Sequence, residues 1–123
     1  MNDLKISDIM DMQTMLWKKH ERKWDPMEAE YARNSLLWMM EEVGEVIAII
    51  KKKGDNAILH NEVVRESFLE EMSDVIMYLA DTLLRYKVGY EEISEAFIRK
   101  YEHNMGRNFK QENDKFLSGD KNG

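Results

Sequence analysis

The chain has 123 residues, of which 43% are hydrophobic and 34% are charged, a composition typical of one globular domain. Its net charge of −6 argues against nucleic acid as a partner, and the absence of cysteine excludes disulfides and thiolate metal sites. The amino-terminal stretch lacks the order of a signal peptide and no long apolar run occurs, so we expect a cytoplasmic protein with no membrane partner.

Capping residues and glycines predict the ends of the first two helices. A first helix is expected from Ser7, as its cap, toward Lys23, with apolar residues at helical spacing. Asp25 and Pro26 predict the start of a second helix by an acidic cap and a proline in the first turn. This helix is expected to extend to Lys53, because Gly54 and three lysines favour a helix end there.

The second half of the chain predicts two further helices. Residues 54–62 form a predicted linker, in which Asn61 can cap a third helix that reaches Lys87 before Gly89. A short fourth helix is expected over 91–105. The sequence therefore predicts an all-α fold, a four-helix bundle over residues 1–110, followed by a flexible polar tail over 111–123.

Apolar residues at three- and four-residue spacing predict the core faces of helices two and three. These predicted core stripes comprise Leu36, Leu37, Met40, Val43, Ile47 and Ile50, and then Phe68, Met72, Val75, Ile76 and Leu79. Both helices are apolar on more than one side, and four helices alone could not bury that surface. The bundle is therefore expected to be completed by oligomerisation, as a homodimer or homotetramer.

Acidic residues lie inside the two most hydrophobic segments of the chain. On helix two, one face carries Trp38, Glu42, Glu45 and Ile49, and on helix three, one face carries Ser67, Glu71, Asp74 and Tyr78. If the two helices pack antiparallel, four carboxylates meet and repel each other unless a cation compensates them. Hard oxygen ligands suit Mg²⁺, with Mn²⁺ as a substitute, completed by water and substrate phosphate.

The acids allow two other interpretations. Each pair taken alone is typical of the solvated face of an amphipathic helix, but two clusters with aromatic and aliphatic neighbours favour a site. A ferritin-like di-iron centre needs Glu-x-x-His pairs, and no histidine of this chain has a glutamate three residues before it.

The motifs also resemble a known family. Glu42-Val-Gly-Glu45 followed by Glu71-Met-Ser-Asp74 is similar to the ExxE…ExxD signature of MazG-like all-α nucleoside triphosphate pyrophosphohydrolases, which include the dimeric dUTPases and dCTPases. The segment Arg-Asn-Ser-Leu-Leu over 33–37 resembles the lead-in of the dCTPase branch. The final helix, with Lys100, Asn104 and Arg107, resembles the closing motif of the family. The whole likeness spans residues 24–108.

This resemblance implies a reaction and roles for individual residues. The reaction would be Mg²⁺-dependent cleavage of a nucleoside or deoxynucleoside triphosphate between the α and β phosphates, as in house-cleaning of the nucleotide pool. The implied metal ligands, which are also catalytic, are Glu42, Glu45, Glu71 and Asp74. Glu41 would contact a second ion or orient the attacking water. The implied phosphate-binding residues are Lys100, Asn104 and Arg107.

The nucleobase and sugar are expected near the first helix and the turn that follows it. The candidate contacts are His20, Trp24, Arg33, Asn34, Trp38 and Tyr78. Tryptophans at helical spacing are also typical core residues. The chain departs from the dCTPase pattern at 51–53, where three lysines stand in place of an aromatic residue, so the sequence does not predict a preference for cytosine.

Two alternatives to this function stay open at the level of sequence. One is a non-catalytic helical module for regulation or assembly, whose acidic faces serve solubility or partner binding. The other is a phosphoribosyl-ATP pyrophosphohydrolase, which shares the acidic pattern but accounts less well for the closing motif.

Overall fold

The computed structural model describes residues 3–107 and 116–117. The α-helices of these residues are α1 (Ile6–His20), α2 (Ala32–Lys53), α3 (Asp55–His60), α4 (Glu62–Arg85) and α5 (Tyr90–Gly106). A 3-10 turn, Ala29–Tyr31, precedes α2. The described part contains no strand, which confirms the all-α prediction. Across the same residues, no helix combines the length and the apolar character that crossing a membrane requires.

The first helix begins and ends earlier than predicted. The backbone N–H of Lys5 donates to the Asp8 carboxylate at 2.8 Å, so the helix starts at Ile6 and Ser7 lies inside it. At the other end, the carbonyl of His20 accepts the N–H of Lys23 at 2.9 Å in a turn. The prediction of a Ser7 cap was therefore wrong, because an acid three residues after Lys5 satisfies the first turn.

The start of α2 differs from the prediction by six residues. Asp25 does not cap a helix: its side chain accepts Asn34 Nδ2 at 3.1 Å, and its carbonyl accepts Trp17 Nε1 at 2.9 Å. Glu28 is extended (φ −133°), and the regular helix begins only at Ala32. Hydrogen bonds to side chains from other segments hold this part of the chain outside a helix, and they override its local signal.

The structure confirms most of the predictions made for the connection between α2 and α4. Gly54 adopts φ 84° and its N–H donates to the Ile50 carbonyl at 3.0 Å, which confirms the predicted end at Lys53. Asn61 caps α4 as predicted, accepting the N–H of Val63 at 3.0 Å. The intervening linker is itself the short helix α3. The described residues therefore form five α-helices, and the predicted count of four was wrong.

The carboxyl end of α4 closes without the glycine predicted to stop it. The helix ends at Arg85, and Lys87 takes the left-handed conformation (φ 61°) that ends many helices. The N–H of Val88 then reaches back to the Leu83 carbonyl at 2.9 Å. Gly89 lies beyond this turn, so it does not end the helix.

The chain divides into two compact units, Met1–Tyr90 and Glu91–Gly123. In the first, α2 packs along α4, α1 packs against α4, and α3 contacts both α2 and α4. The second contains nearly all of α5, whose bounds agree with the predicted fourth helix within one residue at each end. The predicted end of the domain at 110 and most of the predicted tail, 111–115 and 118–123, lie outside the described residues.

Helices α2 and α4 pack antiparallel in a regular register, which is the arrangement that lets their acidic faces meet. Ser35 contacts Asp81, and Trp38 contacts Tyr78. Further along, Glu42 lies beside Asp74. Each step of three or four residues forward along α2 is matched by the same step backward along α4, so we call this line of contacts the α2/α4 seam.

The predicted core stripes were wrong: most of their residues face solvent. On α2, these exposed residues, which we call the outer stripe, are Leu36, Leu37, Met40, Ile47 and Ile50; on α4, Met72, Ile76 and Leu79 are exposed too. The residues of α2 that are buried in the first unit are instead Ala32, Ser35 and Val46. Two of these three side chains are small, whereas the larger aliphatic side chains of α2 lie outside.

Candidate metal centre

Three carboxylates from two helices meet at the middle of the α2/α4 seam. Glu42 belongs to α2, and Glu71 and Asp74 lie one turn apart on α4. One carboxylate oxygen from each residue lies within 4.8 Å of the other two, and all three side chains are half-buried. The antiparallel register produces the cluster because it places the inward acid of α2 opposite the two inward acids of α4.

The cluster holds its negative charge at an electrostatic cost. The pKa of Glu42 is raised from 4.5 to about 7, first by its hydrogen bond with the Glu71 side chain and then by burial. The charges of Glu71, Asp74 and Glu45 raise the pKa of Glu42 further. In its protonated form Glu42 donates to Glu71, so without a cation the cluster tends to retain one proton near neutral pH.

The donor set fits a hard divalent cation. Carboxylate oxygens are the ligands that Mg²⁺ and Mn²⁺ prefer, and Mg²⁺ commonly takes only a few protein oxygens and keeps water for the rest. Of the four predicted ligands, the structure brings Glu42, Glu71 and Asp74 together. Glu45 is exposed and outside the group of three, although its charge acts on Glu42. Glu41 is exposed as well.

An aromatic pair adjoins the carboxylates along the seam. The ring centroids of Trp38 and Tyr78 are 6.1 Å apart with the planes tilted by 56°. Burial raises the pKa of Tyr78, and the charges of Glu42 and Asp74 raise it further, which places this phenol close to the acids. Trp38 is 40% exposed. The pair therefore offers a partly open aromatic surface one helical turn from the carboxylates, on which a planar ring could stack.

The other predicted base contacts lie around the connection between α1 and α2. His20 and Trp24 stack with centroids 4.8 Å apart and planes inclined by 28°. Asn34 donates to the Asp25 carboxylate, and Arg33 is exposed on the first turn of α2. The structure thus pairs His20 with Trp24 and engages Asn34 within the protein, while a nucleobase contact for these residues stays a prediction.

The residues predicted to bind phosphate belong to the second unit. Lys100 and Asn104 are exposed and lie four residues apart, on one face of α5. Arg107 follows the end of the helix at Gly106, as expected, and its N–H donates to the Asn104 carbonyl at 3.3 Å. Their role toward a substrate stays a prediction.

Sequence reasoning missed a buried polar network at one end of the seam. The Asp81 carboxylate accepts hydrogen bonds from Ser35 Oγ on α2 and from Arg85 Nε at 2.7 Å. Arg85 also donates to the backbone carbonyls of Asp25, at 3.2 Å, and Pro26. The available signal was an acid and a base four residues apart in an apolar stretch of helix, where a charged pair is unusual.

Comparison of the chain with models of protein families, with curated proteins and with solved structures finds no significant match.

Proposed function

We propose that the protein is a Mg²⁺-dependent nucleoside triphosphate pyrophosphohydrolase. The observation that carries the proposal is the group of three carboxylates contributed by two antiparallel helices, with the pKa of Glu42 raised to about 7 by its neighbours. Carboxylates that repel each other in a fixed arrangement gain stability from a cation, and such perturbed groups are frequent at functional sites. The ExxE…ExxD motif resemblance supports the choice of reaction.

In this proposal Glu42, Glu71 and Asp74 hold the metal ion. The bound ion would polarise phosphate oxygens and lower the pKa of a water molecule. Glu45 is exposed close enough to act on Glu42, and we assign it to the edge of the centre, where it would take part once substrate is bound. Glu41 is the proposed contact of a second ion or of the attacking water.

We infer the substrate class from two sets of residues. The aromatic pair of Trp38 and Tyr78 is suited to a nucleobase, because aromatic stacking accepts any base and does not select one. Lys100, Asn104 and Arg107 are the proposed contacts of the phosphate end, since a triphosphate approaching acids needs compensating cations. Cleavage between the α and β phosphates is taken from the motif resemblance.

We also propose that the protein is a homodimer through the outer stripe. Its five residues each leave between 41% and 63% of their surface in solvent. Monomeric proteins rarely expose a continuous apolar surface of that kind. A standard interface buries roughly 800 Å² on each partner, and obligate dimers bury more, with apolar residues at the centre. A tetramer of two such dimers is the larger form of the same proposal.

The same exposed surface supports a second candidate function, a helical assembly module without catalysis. In that case the outer stripe binds a partner protein and the acids need no ion. Phosphoribosyl-ATP stays an alternative substrate for the enzyme. Metal dependence of activity separates the enzymes from the module, and the substrate panel separates the two enzymes.

The test is pyrophosphate release from a panel of ribo- and deoxyribonucleoside triphosphates and phosphoribosyl-ATP, each with Mg²⁺ and with chelator. Asp74→Asn removes one charge of the cluster, and Glu70→Gln, which removes an exposed neighbouring charge, is its matched control. We expect activity only with Mg²⁺, lost in Asp74→Asn and kept in Glu70→Gln. No pyrophosphate from any substrate, with the protein folded and Mg²⁺ present, would leave the assembly module as the better interpretation.

A further inference from the structure

A buried polar network closes one end of the α2/α4 seam. Ser35 is fully buried, Asp81 is 4% exposed and Arg85 is 2% exposed. Ser35 Oγ donates to Asp81 Oδ2 from the facing helix, and Arg85 Nε donates to the same oxygen. The other oxygen, Asp81 Oδ1, is buried without a hydrogen-bond partner among the described residues.

Stability alone does not explain this network. Taking an acid and a base out of water is costly, and well-packed apolar residues of similar size often serve as well or better. The buried Asp81 Oδ1 adds the cost of an unmet hydrogen bond. The best-attested use of buried polar groups between helices is to specify one register, since only one alignment satisfies them.

The register in question is the one that builds the acidic cluster. Ser35 precedes Glu42 by seven residues on α2, and Asp81 follows Asp74 by seven residues on α4. Seven residues are two turns, or about 10.5 Å of helix. Because the helices are antiparallel, a shift that separates Ser35 from Asp81 also moves Glu42 away from Asp74 by the same distance.

Arg85 fixes the chain that leads into α2. Its Nη1 donates to the carbonyls of Asp25 and Pro26, and Lys87 Nζ donates to the carbonyl of Met27 at 2.8 Å. Three consecutive carbonyls before α2 are therefore bound by the carboxyl end of α4. These contacts resist a displacement of α2 along its axis, whereas aliphatic and methionine contacts are non-directional and tolerate one.

We propose that Ser35, Asp81 and Arg85 are positioning residues that lock the register of α2 against α4, and so hold Glu42 opposite Glu71 and Asp74. The functional half of this inference rests on the proposed metal site, while the register itself can be measured without metal. The hydrogen bonds of these three residues go to each other and to backbone carbonyls and not to the carboxylate cluster, so each acts through the helix that carries it.

The test compares an apolar variant with a mild one and a control. The apolar variant, Ser35→Ala/Asp81→Leu/Arg85→Met, replaces the whole network and leaves no buried charge alone. The mild variant, Ser35→Ala, removes only the bond between the helices. The control is Ser73→Ala, because the Ser73 hydroxyl bonds the Leu69 carbonyl of its own helix at 2.8 Å.

Register is read by disulfide trapping, which the absence of cysteine in the chain allows without background. Extended by seven residues from Glu42 and Asp74, the register pairs position 49 with position 67. Ile49→Cys/Ser67→Cys therefore reports the native register, and Lys53→Cys/Ser67→Cys reports a shift of one turn. Metal affinity is read by Mn²⁺ titration in electron paramagnetic resonance, and helix content by circular dichroism.

We expect the apolar variant to keep its helix content, to cross-link in both registers and to bind Mn²⁺ about tenfold or more weakly, the effect of losing groups that orient ligands. The control should match the unaltered protein. Cross-linking of the apolar variant in the native register alone, with Mn²⁺ affinity unchanged, would overturn the proposal. If that variant does not fold, unchanged trapping and Mn²⁺ affinity in Ser35→Ala overturn it equally. If the unaltered protein binds no Mn²⁺, the metal proposal fails and trapping still decides the register.

Discussion

The side chain of Glu42 on α2 is hydrogen-bonded to that of Glu71 on α4, and this bond is the largest of the influences that raise the pKa of Glu42 to about 7. Two acids that share a proton cannot both ionise without cost. The pair thus links the packing of the two helices to proton binding and, in the proposed function, to metal binding.

The stability of the metal-free protein is expected to fall as the pH rises from about 4.5 to about 7. Folded Glu42 keeps its proton up to a pKa of about 7, while the unfolded chain releases it near 4.5, so raising the pH favours unfolding over this range. Solvent at the half-buried site screens the repulsion, and we expect a loss of about 1 kcal/mol. Chemical denaturation of the unaltered protein and of Glu42→Gln at several pH values in this range measures the free energy of unfolding. If that free energy changes with pH equally in both proteins, the prediction is wrong.

Mg²⁺ is expected to raise the melting temperature of the unaltered protein and to have little effect on Asp74→Asn. A ligand that binds only the folded state stabilises it by about 2.7 kcal/mol at one hundred times its dissociation constant. Without metal, Asp74→Asn should melt at the same or a higher temperature, because one repelling charge is gone. Differential scanning calorimetry measures both effects, with Glu70→Gln as control. If Mg²⁺ raised the melting temperatures of Asp74→Asn and Glu70→Gln equally, this would count against the cluster as the site.

The products are expected to be nucleoside monophosphate and pyrophosphate. Carboxylates and Mg²⁺ support attack at either phosphorus, so the prediction comes from the motif resemblance. Hydrolysis in ¹⁸O-labelled water followed by mass spectrometry locates the attack, since attack at the α phosphorus places the label in the monophosphate. Orthophosphate as the first product would refute it.

Lys100→Ala and Arg107→Ala are expected to weaken triphosphate binding while leaving the fold and the Mn²⁺ affinity unchanged. A hydrogen bond to a charged group contributes roughly 1.5–3 kcal/mol, which corresponds to a loss of about 10- to 100-fold. Steady-state kcat/KM of each variant, compared with Lys18→Ala on α1, measures the effect. Values equal to those of the control would show that both residues serve only the end of α5.

Leu37→Glu is expected to convert the protein from a dimer to a monomer. Leu37 is 63% exposed in the single chain and lies in the outer stripe, where a buried carboxylate without a partner would oppose association. Light scattering coupled to size-exclusion chromatography gives the mass, with Thr14→Glu on the exposed side of α1 as control. A monomeric mass for the unaltered protein at micromolar concentration would end the dimer proposal.

Several features were readable from the sequence because their causes are local. Gly54 ends α2 and Asn61 caps α4, and both effects depend on atoms no more than four residues away. The face that carries Trp38 and Glu42 was also readable, because a helix places residues four apart on one side. Its pairing with the face of Asp74 and Tyr78 follows once the two helices pack antiparallel, which the structure shows.

The tertiary structure decided which side of each helix is inside. Both α2 and α4 carry two apolar faces, and a hydrophobic pattern does not say which of them packs within the chain. Ala32, Ser35 and Ala80 are buried in the first unit, the three carboxylates of the cluster are half-buried on the seam, and the outer stripe is exposed. The network around Arg85 was likewise beyond sequence reasoning, because its partners at Asp25 and Pro26 are about 60 residues away and only the packed helices bring those carbonyls within reach of the guanidinium.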